Sequence, residues 1–571
     1  DKENYLGEDV RNKILSSFSW RGPDGWGAWS DPNITLLHNR LAILDLSSNG
    51  HQPMLCDNQR FVIAFNGEIY NWKEIRGTLK RCTWQSNTDT ETLLYAFIEM
   101  GAKCLLMLNG MFSFVIWDKK YKRIFAARDR AGIKPLYYNL FKGKLSFASE
   151  IKALLSSGIK KELNHKSISD FVQWGVLDHS KDTFFKDIFQ LKPGSYVETT
   201  VDKMHFKEKA YWKLPLEITN EVPVNKKEAD KKFQALFENS IEMQMQADVD
   251  VGICLSGGID SSVLAACAHK KASCNNLKTF TYCFEGGGGE EILASQTAKI
   301  LGLENIQCEL KIEEVPEFFK EVLYHQEAPI TSMRVLALHR LYKECKSRNV
   351  KVLLEGAGGD EMAAGYEYYY MPYIMDFMRD NPIDITLAEL HSYMDKYSIP
   401  ENKKFERLLD CLKTTLYPGV STQDGASFAS SNYIKQDVYA KYKRPQFKKE
   451  FSDWLRSLQL IDFNHVVLPK ALRYTDRASM ASSCEARVPL LDHRIVELAF
   501  NTVENARIAD GQQRVFMKAA AERFLPSSIL QKPKQTIVDP QRNWLKEELR
   551  EWVFDTFDSN AAKSLDIFDM K

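Results

Sequence analysis

The stretch Val251-Gly-Ile-Cys-Leu-Ser-Gly-Gly-Ile-Asp-Ser-Ser-Val-Leu-Ala265 decides the fold of the second half of the chain. An apolar run ends at Ser256-Gly257-Gly258 and an alanine-rich helical pattern follows, so the stretch predicts a strand, a tight turn and a helix start. Glycines let the backbone turn sharply, and the N–H groups, the hydroxyls and the positive helix end favour a multiply charged anion. Asp260 could hold Mg²⁺ beside that anion. The alternative is an ordinary turn with Ser or Asp as N-cap, and the whole Ser256–Ser262 string favours the anion site over it.

Helical and strand patterns alternate around this stretch. The predicted helices are Ala229–Met245, Ser261–Lys271, Glu290–Leu301 and Val335–Arg348, and the strands between them are Thr279–Phe284, Ile306–Leu310 and Lys351–Leu354. Such alternation predicts a doubly wound parallel α/β sheet that binds its ligands at the carboxyl ends of the strands. The loops at Ser256 and Glu355 both follow strands, so both are expected at that edge.

The first half of the chain contains mainly short strand patterns separated by turns. The predicted strands are Thr35–Leu37, Phe61–Phe65, Phe112–Trp117, Arg123–Ala127, Leu136–Asn139 and Lys144–Phe147, and the predicted helices are Asp9–Phe18, Thr90–Met100 and Ile151–Ser156. This distribution favours a layered α+β domain with stacked sheets. A mixed, proline-containing segment near residues 206–225 then separates a first domain, residues 1–205, from a second, residues 226–571.

Bulk properties exclude several classes of protein. The 571 residues carry 76 Lys and Arg against 76 Asp and Glu, so no basic stripe indicates a nucleic-acid partner. No apolar run is long enough to cross a membrane, and the first residues do not resemble a signal peptide. The 11 cysteines include no C-x-x-C pair, which favours reduced thiols and a cytoplasmic location over disulfides or a zinc site.

Polar clusters in the first half indicate a second small-molecule site. An arginine, two carboxylates and an Asn-Gly pair are well suited to a small zwitterion: Arg40, Asn66, Gly67, Glu68 and Asp89. Arg40 would hold an α-carboxylate, and Glu68 or Asp89 an α-ammonium. Asn66 and the Gly67 N–H suit an oxyanion hole. Each cluster alone is more typical of a turn, a cap or a surface ion pair, and only the set favours a site.

The motifs of this half resemble the glutaminase domain of class II glutamine amidotransferases, in the order of the asparagine synthetase B branch. They are Arg21-Gly-Pro-Asp24, Arg40-Leu-Ala-Ile-Leu-Asp45, His51-Gln-Pro-Met54, Asn66-Gly-Glu-Ile-Tyr-Asn71, Asp89-Thr-Glu91, Asn109-Gly-Met-Phe-Ser-Phe114 and Arg128-Asp129. The resemblance implies an αββα sandwich of the N-terminal-nucleophile hydrolase type. It also implies that Arg40, Asn66, Gly67, Glu68 and Asp89 bind glutamine, with Asn66 and Gly67 in the oxyanion role.

The expected nucleophile is missing from the sequence. The family attacks glutamine with an N-terminal cysteine, whereas this sequence begins with Asp1 and has no cysteine before Cys56. Either the true N-terminus lies upstream of Asp1, or this half cannot hydrolyse glutamine. The retained glutamine-site residues favour the first alternative.

The second half resembles the ATP pyrophosphatase domain of the same family. The resemblance implies ATP and Mg²⁺, with ATP and its pyrophosphate held by Leu255, Ser256, Gly257, Gly258, Asp260, Ser261, Ser262, Glu355 and Gly356. It implies Asp260 and Asp360 as metal ligands and a catalytic Lys534 that stabilises the transition state. By itself, a lysine in a Lys-Pro-Lys turn is more typical of a surface. A further segment, Arg473–Arg494, matches the family's helical part, and its charges are as typical of buried ion pairs as of substrate contacts.

The combined resemblance implies an ATP-dependent amide ligase that uses ammonia from glutamine, with aspartate as the default acceptor. One departure weakens that default, because the family's usual loop glutamate is Ala357 here. Another carboxylate, such as a sugar acid or a biosynthetic intermediate, therefore stays open. So do a β-lactam- or macrolactam-forming cyclase, a non-enzymatic glutamine sensor and a homodimeric assembly.

Overall fold

The computed structural model describes residues 6–81, 83–214, 224–271, 277–287, 289–396, 399–418, 434–435, 441–530, 540–564 and 567–568. Its strands fall into a first group before residue 211 and a second group after residue 250. They are Gly25–Asp31, Ile34–Arg40, Met54–Leu55, Phe61–Ile69, Gly110–Asp118, Arg123–Arg128, Tyr137–Phe141, Lys144–Ala148, Phe189–Gln190, Ser195–Thr200, Glu208–Ala210, Val251–Cys254, Lys278–Phe284, Glu304–Leu310, Val352–Leu354, Glu485–Arg487, Ile508–Ala509 and Gln512–Gln513.

Most helices belong to the second half of the chain. The α-helices are Glu8–Ser16, Trp72–Thr78, Asp89–Met100, Ile151–Ser156, His165–Trp174, Lys226–Gln244, Ile259–Lys271, Glu290–Leu301, Val315–Gln326, Arg334–Ser347, Gly359–Ala363, Tyr370–Asp380, Ile383–Lys396, Lys404–Leu416, Trp454–Ile461, Leu468–Ala481, His493–Phe500, Val515–Ala521, Ser527–Leu530, Gln541–Lys546, Arg550–Asp558 and Asn560–Ser564.

The first half is a four-layer α/β/β/α sandwich, which confirms the predicted fold class. One of its two inner layers is a six-stranded antiparallel sheet, in which Phe61–Ile69 pairs with Gly110–Asp118 along its whole length. Helices Trp72–Thr78 and Asp89–Met100 cover one face through an aromatic and aliphatic core. The other face packs on the shorter sheets, and Ile151–Ser156 lies outside these. Alternating apolar side chains explain why both faces of the six-stranded sheet are buried.

The second half contains a five-stranded parallel sheet, as the alternating patterns predict. The spatial order is Glu304–Leu310, Lys278–Phe284, Val251–Cys254, Val352–Leu354 and Glu485–Arg487. One core packs helices such as Ile259–Lys271 on one face, and a second core packs Arg334–Ser347 on the other. This arrangement is the doubly wound architecture.

The order of the strands fixes where a ligand binds. The chain moves from Val251–Cys254 outward to Glu304–Leu310, and it returns to place Val352–Leu354 on the other side of Val251–Cys254. The crevice at such a reversal is the usual ligand site of an open α/β sheet. The loops after these two central strands carry Ser256 and Glu355, so these residues lie at this crevice.

Two further observations concern membrane-spanning helices and the state of the cysteines. Among the described residues, no helix combines the length and the hydropathy needed to cross a bilayer. The described cysteines are all free thiols, and most of them are buried.

Candidate active sites

The loop Ser256–Ser262 makes the turn that its sequence predicts. The strand ends at Cys254 and the helix begins at Ile259. The Ser261 hydroxyl accepts a hydrogen bond from the Ser256 N–H (2.9 Å) and lies 2.7 Å from the Ser256 hydroxyl. A Cβ on Gly257 would lie 2.7 Å from the Cβ of Leu293, so only glycine lets the loop sit this close to the neighbouring helix.

The second loop, Glu355–Asp360, packs directly against the first. A Cβ on Gly356 would lie 3.2 Å from the Ser261 nitrogen, and one on Gly359 would lie 3.0 Å from the Asp260 carboxyl carbon. The glycines therefore allow two loops from adjacent strands to meet without a side chain between them.

Glu355 is a buried carboxyl that faces partners from the same half. It accepts hydrogen bonds from the Tyr342 hydroxyl and from Thr475 Oγ1, the latter at 3.1 Å. Burial raises the pKa of Glu355, and these two hydrogen bonds oppose that rise. The side chain is thus held in place at the wall of the cavity described below.

The two predicted metal ligands come together, but an arginine lies between them. Arg514 Nη1 is 2.9 Å from Asp260 Oδ2 and 3.2 Å from Asp360 Oδ1. Sequence reasoning missed Arg514, because a single arginine in a polar turn carries no local signal of a partner 254 positions away. Two carboxylates from adjacent loops are the hard oxygen ligands that suit Mg²⁺. Their convergence on one cation shows that this position favours positive charge.

A cavity of about 380 Å³ opens at these loops. Of the predicted residues that the structure describes, six line its wall, namely Ser256, Asp260, Ser261, Glu355, Gly356 and Asp360, together with Ala357. Leu255 and Ser262 are buried in the core instead, where Leu255 pairs with the neighbouring strand. The 380 Å³ lies within the range of small-molecule sites.

Several other residues that line this cavity are not predicted from the sequence. They include two cations, Arg334 and Lys470, as well as Tyr368 and Asp462. Asp462 accepts hydrogen bonds from the hydroxyls of Tyr368 and Tyr369, both at 2.7 Å. Burial nevertheless raises the pKa of Asp462 to about 7. These residues come from separate helices, so only the tertiary structure brings them to the site.

The predicted oxyanion residues lie on a central strand of the first half. Asn66 pairs with Ser113 and Gly67 with Phe112 in the register of the sheet. Gly67 has φ +142°, and a Cβ there would lie 2.0 Å from the carbonyl oxygen of Met111. A glycine is therefore required at this position. The Asn66 side-chain amide donates to Ser149 Oγ at 3.3 Å.

The two acidic residues predicted to bind glutamine are neighbours. Glu68 is buried on the same strand, and Asp89 begins the helix beside it and accepts a hydrogen bond from the Ile69 N–H at 2.8 Å. Burial and the nearby Asp89 raise the pKa of Glu68 well above its usual range. Burial also raises the pKa of Asp89 to about 7. Two buried carboxyls this close favour a cation between them.

Arg40 is half-buried at the end of its strand, and its guanidinium donates to two backbone carbonyls. Nη1 donates to the Ser47 oxygen at 2.7 Å, and Nη2 donates to the Asp45 oxygen at 2.5 Å. A Cβ on Gly50 would contact both this guanidinium and Thr88, which precedes Asp89. Arg40 is therefore brought to the neighbourhood of Asp89. Lys534 lies outside the described residues.

Buried ion pairs join the two halves. Arg21 donates to both oxygens of Asp476, at 2.8 and 3.0 Å, and to Glu150 at 3.1 Å. Arg477 lies 2.8 Å from Glu150 and 2.8 Å from Glu327. Burial alone would raise the pKa of Glu150, but Arg477 and the other cations around it outweigh burial and lower it. Asp476 and Arg477, in the segment Arg473–Arg494, therefore form buried ion pairs, as one of the two interpretations of that segment predicts.

Comparison with known protein families shows the class of protein to which each half belongs. The family of glutamine amidotransferase domains matches residues 2–212, and the asparagine synthase family matches residues 232–571. Together they describe an amidotransferase joined to a synthetase.

Curated relatives extend along almost the whole chain. Glutamine-hydrolysing asparagine synthetase 1 of Bacillus subtilis is 31% identical over 559 residues, covering 96% of this chain and 86% of that protein. Asparagine synthetase 2 of the same organism is 32% identical over 502 residues, covering 85% and 63%. The amidase chyE of Penicillium rubens is 25% identical over 583 residues, covering 94% and 85%.

The chain belongs to the family of glutamine-hydrolysing asparagine synthetases. It is accordingly an enzyme of the glutamine-dependent carbon–nitrogen ligase type, and the family uses ATP as a substrate.

Proposed function

We propose that this enzyme converts a substrate carboxylate to an acyl-adenylate at the Ser256–Asp360 cavity and amidates it with ammonia from glutamine. The observation that carries the proposal is the meeting of the two loops. Adjacent parallel strands deliver Ser256, Ser261 and Asp360 into one cavity at the reversal point of the sheet. Hydroxyls, backbone N–H groups and a helix start there suit a polyphosphate.

The residues divide the chemistry of adenylation between them. The loop Ser256–Ser262 would hold the β- and γ-phosphates, which leave as pyrophosphate when the substrate carboxylate attacks the α-phosphorus. Asp260 and Asp360 would hold Mg²⁺, which when bound neutralises phosphate charge. Lys534 would stabilise the charge that develops on the leaving group. The cavity would hold both reactants next to each other in a fixed orientation.

The first half would supply the ammonia. Asn66 and the Gly67 N–H would stabilise the oxyanion formed when glutamine is attacked. Arg40 would hold the α-carboxylate, and Glu68 with Asp89 the α-ammonium, because a cation relieves the repulsion between two buried carboxyls. We assign one reaction to each of two domains, residues 1–205 and 226–571; the segment 206–225 between them also contributes the edge strand Glu208–Ala210 to the sheet of the first domain. Free thiols in the described part of the chain support a reducing, cytoplasmic setting.

Aspartate is the acceptor we propose first. Arg334 and Lys470 in the cavity wall suit an acidic substrate that carries more than one negative charge. The loop position at Ala357 offers only a methyl group. That position, together with the similarity to a fungal amidase, supports a sugar acid or a biosynthetic intermediate as the second candidate.

Pyrophosphate release tests this proposal. The full chain would be incubated with Mg²⁺, ATP, ammonium and one carboxylate at a time, starting with aspartate. We expect AMP and pyrophosphate in equal amounts, and an amide product, with one carboxylate of the panel. Release of ADP and phosphate instead would contradict the proposal. A cyclic product formed without ammonium would favour a cyclase.

A further inference from the structure

Arg487 lies fully buried at the junction of the two halves, on the edge strand Glu485–Arg487 of the parallel sheet. Its side chain faces the glutaminase half. Nη2 lies 3.5 Å from Glu68 Oε1, and the guanidinium carbon lies 5.7 Å from the ring centre of Tyr70. A cation of the synthetase half thus contacts a carboxylate of the proposed glutamine site.

The main chain of the same residue contacts the ATP loop. The Arg487 carbonyl oxygen accepts a hydrogen bond from the Glu355 N–H at 2.8 Å, and the residue pairs with Leu354 in the sheet register. Glu355 and the next residue, Gly356, both line the ATP cavity. One residue therefore touches both sites, with its side chain toward one and its backbone toward the other.

The guanidinium is anchored on its remaining sides. Nη1 donates to the carbonyl oxygens of Gln244 and Gln246, at 2.7 and 2.8 Å, and Nε donates to Glu485 Oε1 at 2.9 Å. These bonds leave the guanidinium little freedom to move independently of its strand. A change in its attraction to Glu68 is consequently transmitted to the strand that holds Glu355.

We propose that Arg487 is a positioning residue that couples occupancy of the glutamine site to the geometry of the ATP loop. This inference rests on the proposed function, because glutamine must bring its α-ammonium to Glu68 and Asp89. That ammonium competes with Arg487 for the Glu68 carboxylate. Glutamine binding therefore weakens the attraction between Glu68 and the Arg487 side chain, which belongs to the edge strand Glu485–Arg487. By thermodynamic linkage, a nucleotide in the cavity must then alter the affinity for glutamine by the same factor.

The coupling is measured by binding and needs no turnover. Glutamine is titrated calorimetrically into the full chain, with and without saturating Mg²⁺ and α,β-methylene-ATP. In the unsubstituted protein we expect the nucleotide to change the Kd for glutamine by at least about fivefold, the lower end of typical allosteric coupling. Arg487→Lys keeps the positive charge but loses the planar, multiply hydrogen-bonding guanidinium. In this variant the nucleotide should change the Kd for glutamine by less than about twofold.

Two further variants separate coupling from general damage. Arg473→Lys is the matched control, since Arg473 is another buried junction arginine that pairs with Asp178 at 2.5 and 2.8 Å and makes no contact with Glu68. In this control the nucleotide should change the Kd for glutamine as much as it does in the unsubstituted protein. Glu485→Gln loosens Arg487 without replacing a residue of either proposed site, and it is the test variant if Arg487→Lys does not fold. Because the Glu485 charge also raises the pKa of Glu68 and Asp89, the comparison uses the change in Kd caused by the nucleotide and not the Kd itself. In Glu485→Gln the ratio of the Kd values for glutamine with and without the nucleotide should approach one.

Each outcome bears on the inference. The inference is overturned if the nucleotide changes the Kd for glutamine as much in Arg487→Lys as in the unsubstituted protein. If Arg487→Lys does not fold, the same result in Glu485→Gln overturns it. Equal loss in Arg473→Lys overturns it too, because the effect would then belong to the junction as a whole. If the unsubstituted protein binds both ligands without coupling, only this inference fails. If it binds neither glutamine nor the nucleotide, the proposed function fails as well.

Discussion

Replacement of Arg514 by methionine tests the electrostatics of the proposed phosphate and metal site. The change removes the cation between Asp260 and Asp360 while keeping much of the side-chain volume. The side chain of Arg514 is 7% exposed, and those of the two aspartates are 15% and 16% exposed. The variant removes one cation from between two largely buried carboxylates.

The magnitude follows from these contacts. Removing one partner of a buried ion pair costs about 3–5 kcal/mol. The residual exposure of the aspartates screens part of that cost, so we expect a loss of about 2–3 kcal/mol. For a folding unit of about 350 residues, with an unfolding entropy of about 2.1 cal/mol/K per residue, this lowers Tm by roughly 3–4 °C. Mg²⁺ should reverse the loss, since a ligand at a hundred times its Kd contributes about 2.7 kcal/mol.

The assay is thermal unfolding of the full chain with and without about 10 mM MgCl₂. Arg523→Met is the matched control, because Arg523 is 57% exposed and lies 3.6 Å from Glu238, away from both aspartates. We expect Mg²⁺ to raise the Tm of Arg514→Met several degrees more than that of the unsubstituted protein or the control. An equal response in all three proteins would refute the assignment of Asp260 and Asp360 as a cation site.

Three other predictions address the glutamine site and the junction. Gly67→Ala should weaken glutamine binding at least tenfold by calorimetry, because the added methyl would lie 2.0 Å from the Met111 oxygen; retained affinity would contradict the placement of Gly67 in the glutamine site. The affinity for glutamine should rise roughly tenfold from pH 6 to 8, because burial raises the pKa of Asp89 to about 7 and only its ionised form holds an ammonium. Asp89→Asn should flatten that profile, and a persistent rise would assign it to another group. Asp476→Asn should lower the free energy of unfolding by about 3 kcal/mol in urea titrations by weakening the pair with Arg21, and an unchanged midpoint would mean that the pair contributes little.

Local patterns were enough to predict most of the architecture. The strand, turn and helix around Ser256 need only an apolar run, two glycines and a helix-forming sequence, and all three signals are contiguous. The helix Glu290–Leu301 was predicted with its observed bounds. The parallel sheet followed from alternation alone, because parallel strands need a crossover between them.

Contacts between distant parts of the chain could not be predicted in this way. Arg514 reaches Asp260 across 254 positions, and Arg21 reaches Asp476 across 455. A buried arginine and an exposed one have the same sequence signature, so Arg487 could be identified only as a member of an ion-pair segment. Its contact with Glu68 depends on how the two halves pack.

The central claim is that a substrate carboxylate attacks the α-phosphorus of ATP in the cavity between the Ser256 and Glu355 loops. The most direct test supplies the active carboxylate labelled with ¹⁸O, together with Mg²⁺, ATP and ammonium, and examines the nucleotide product by ³¹P NMR and mass spectrometry. An acyl-adenylate mechanism predicts one ¹⁸O atom in the phosphate of AMP, because the carboxylate oxygen stays with phosphorus when ammonia displaces AMP. Label in inorganic phosphate, with ADP as the nucleotide product, would contradict it.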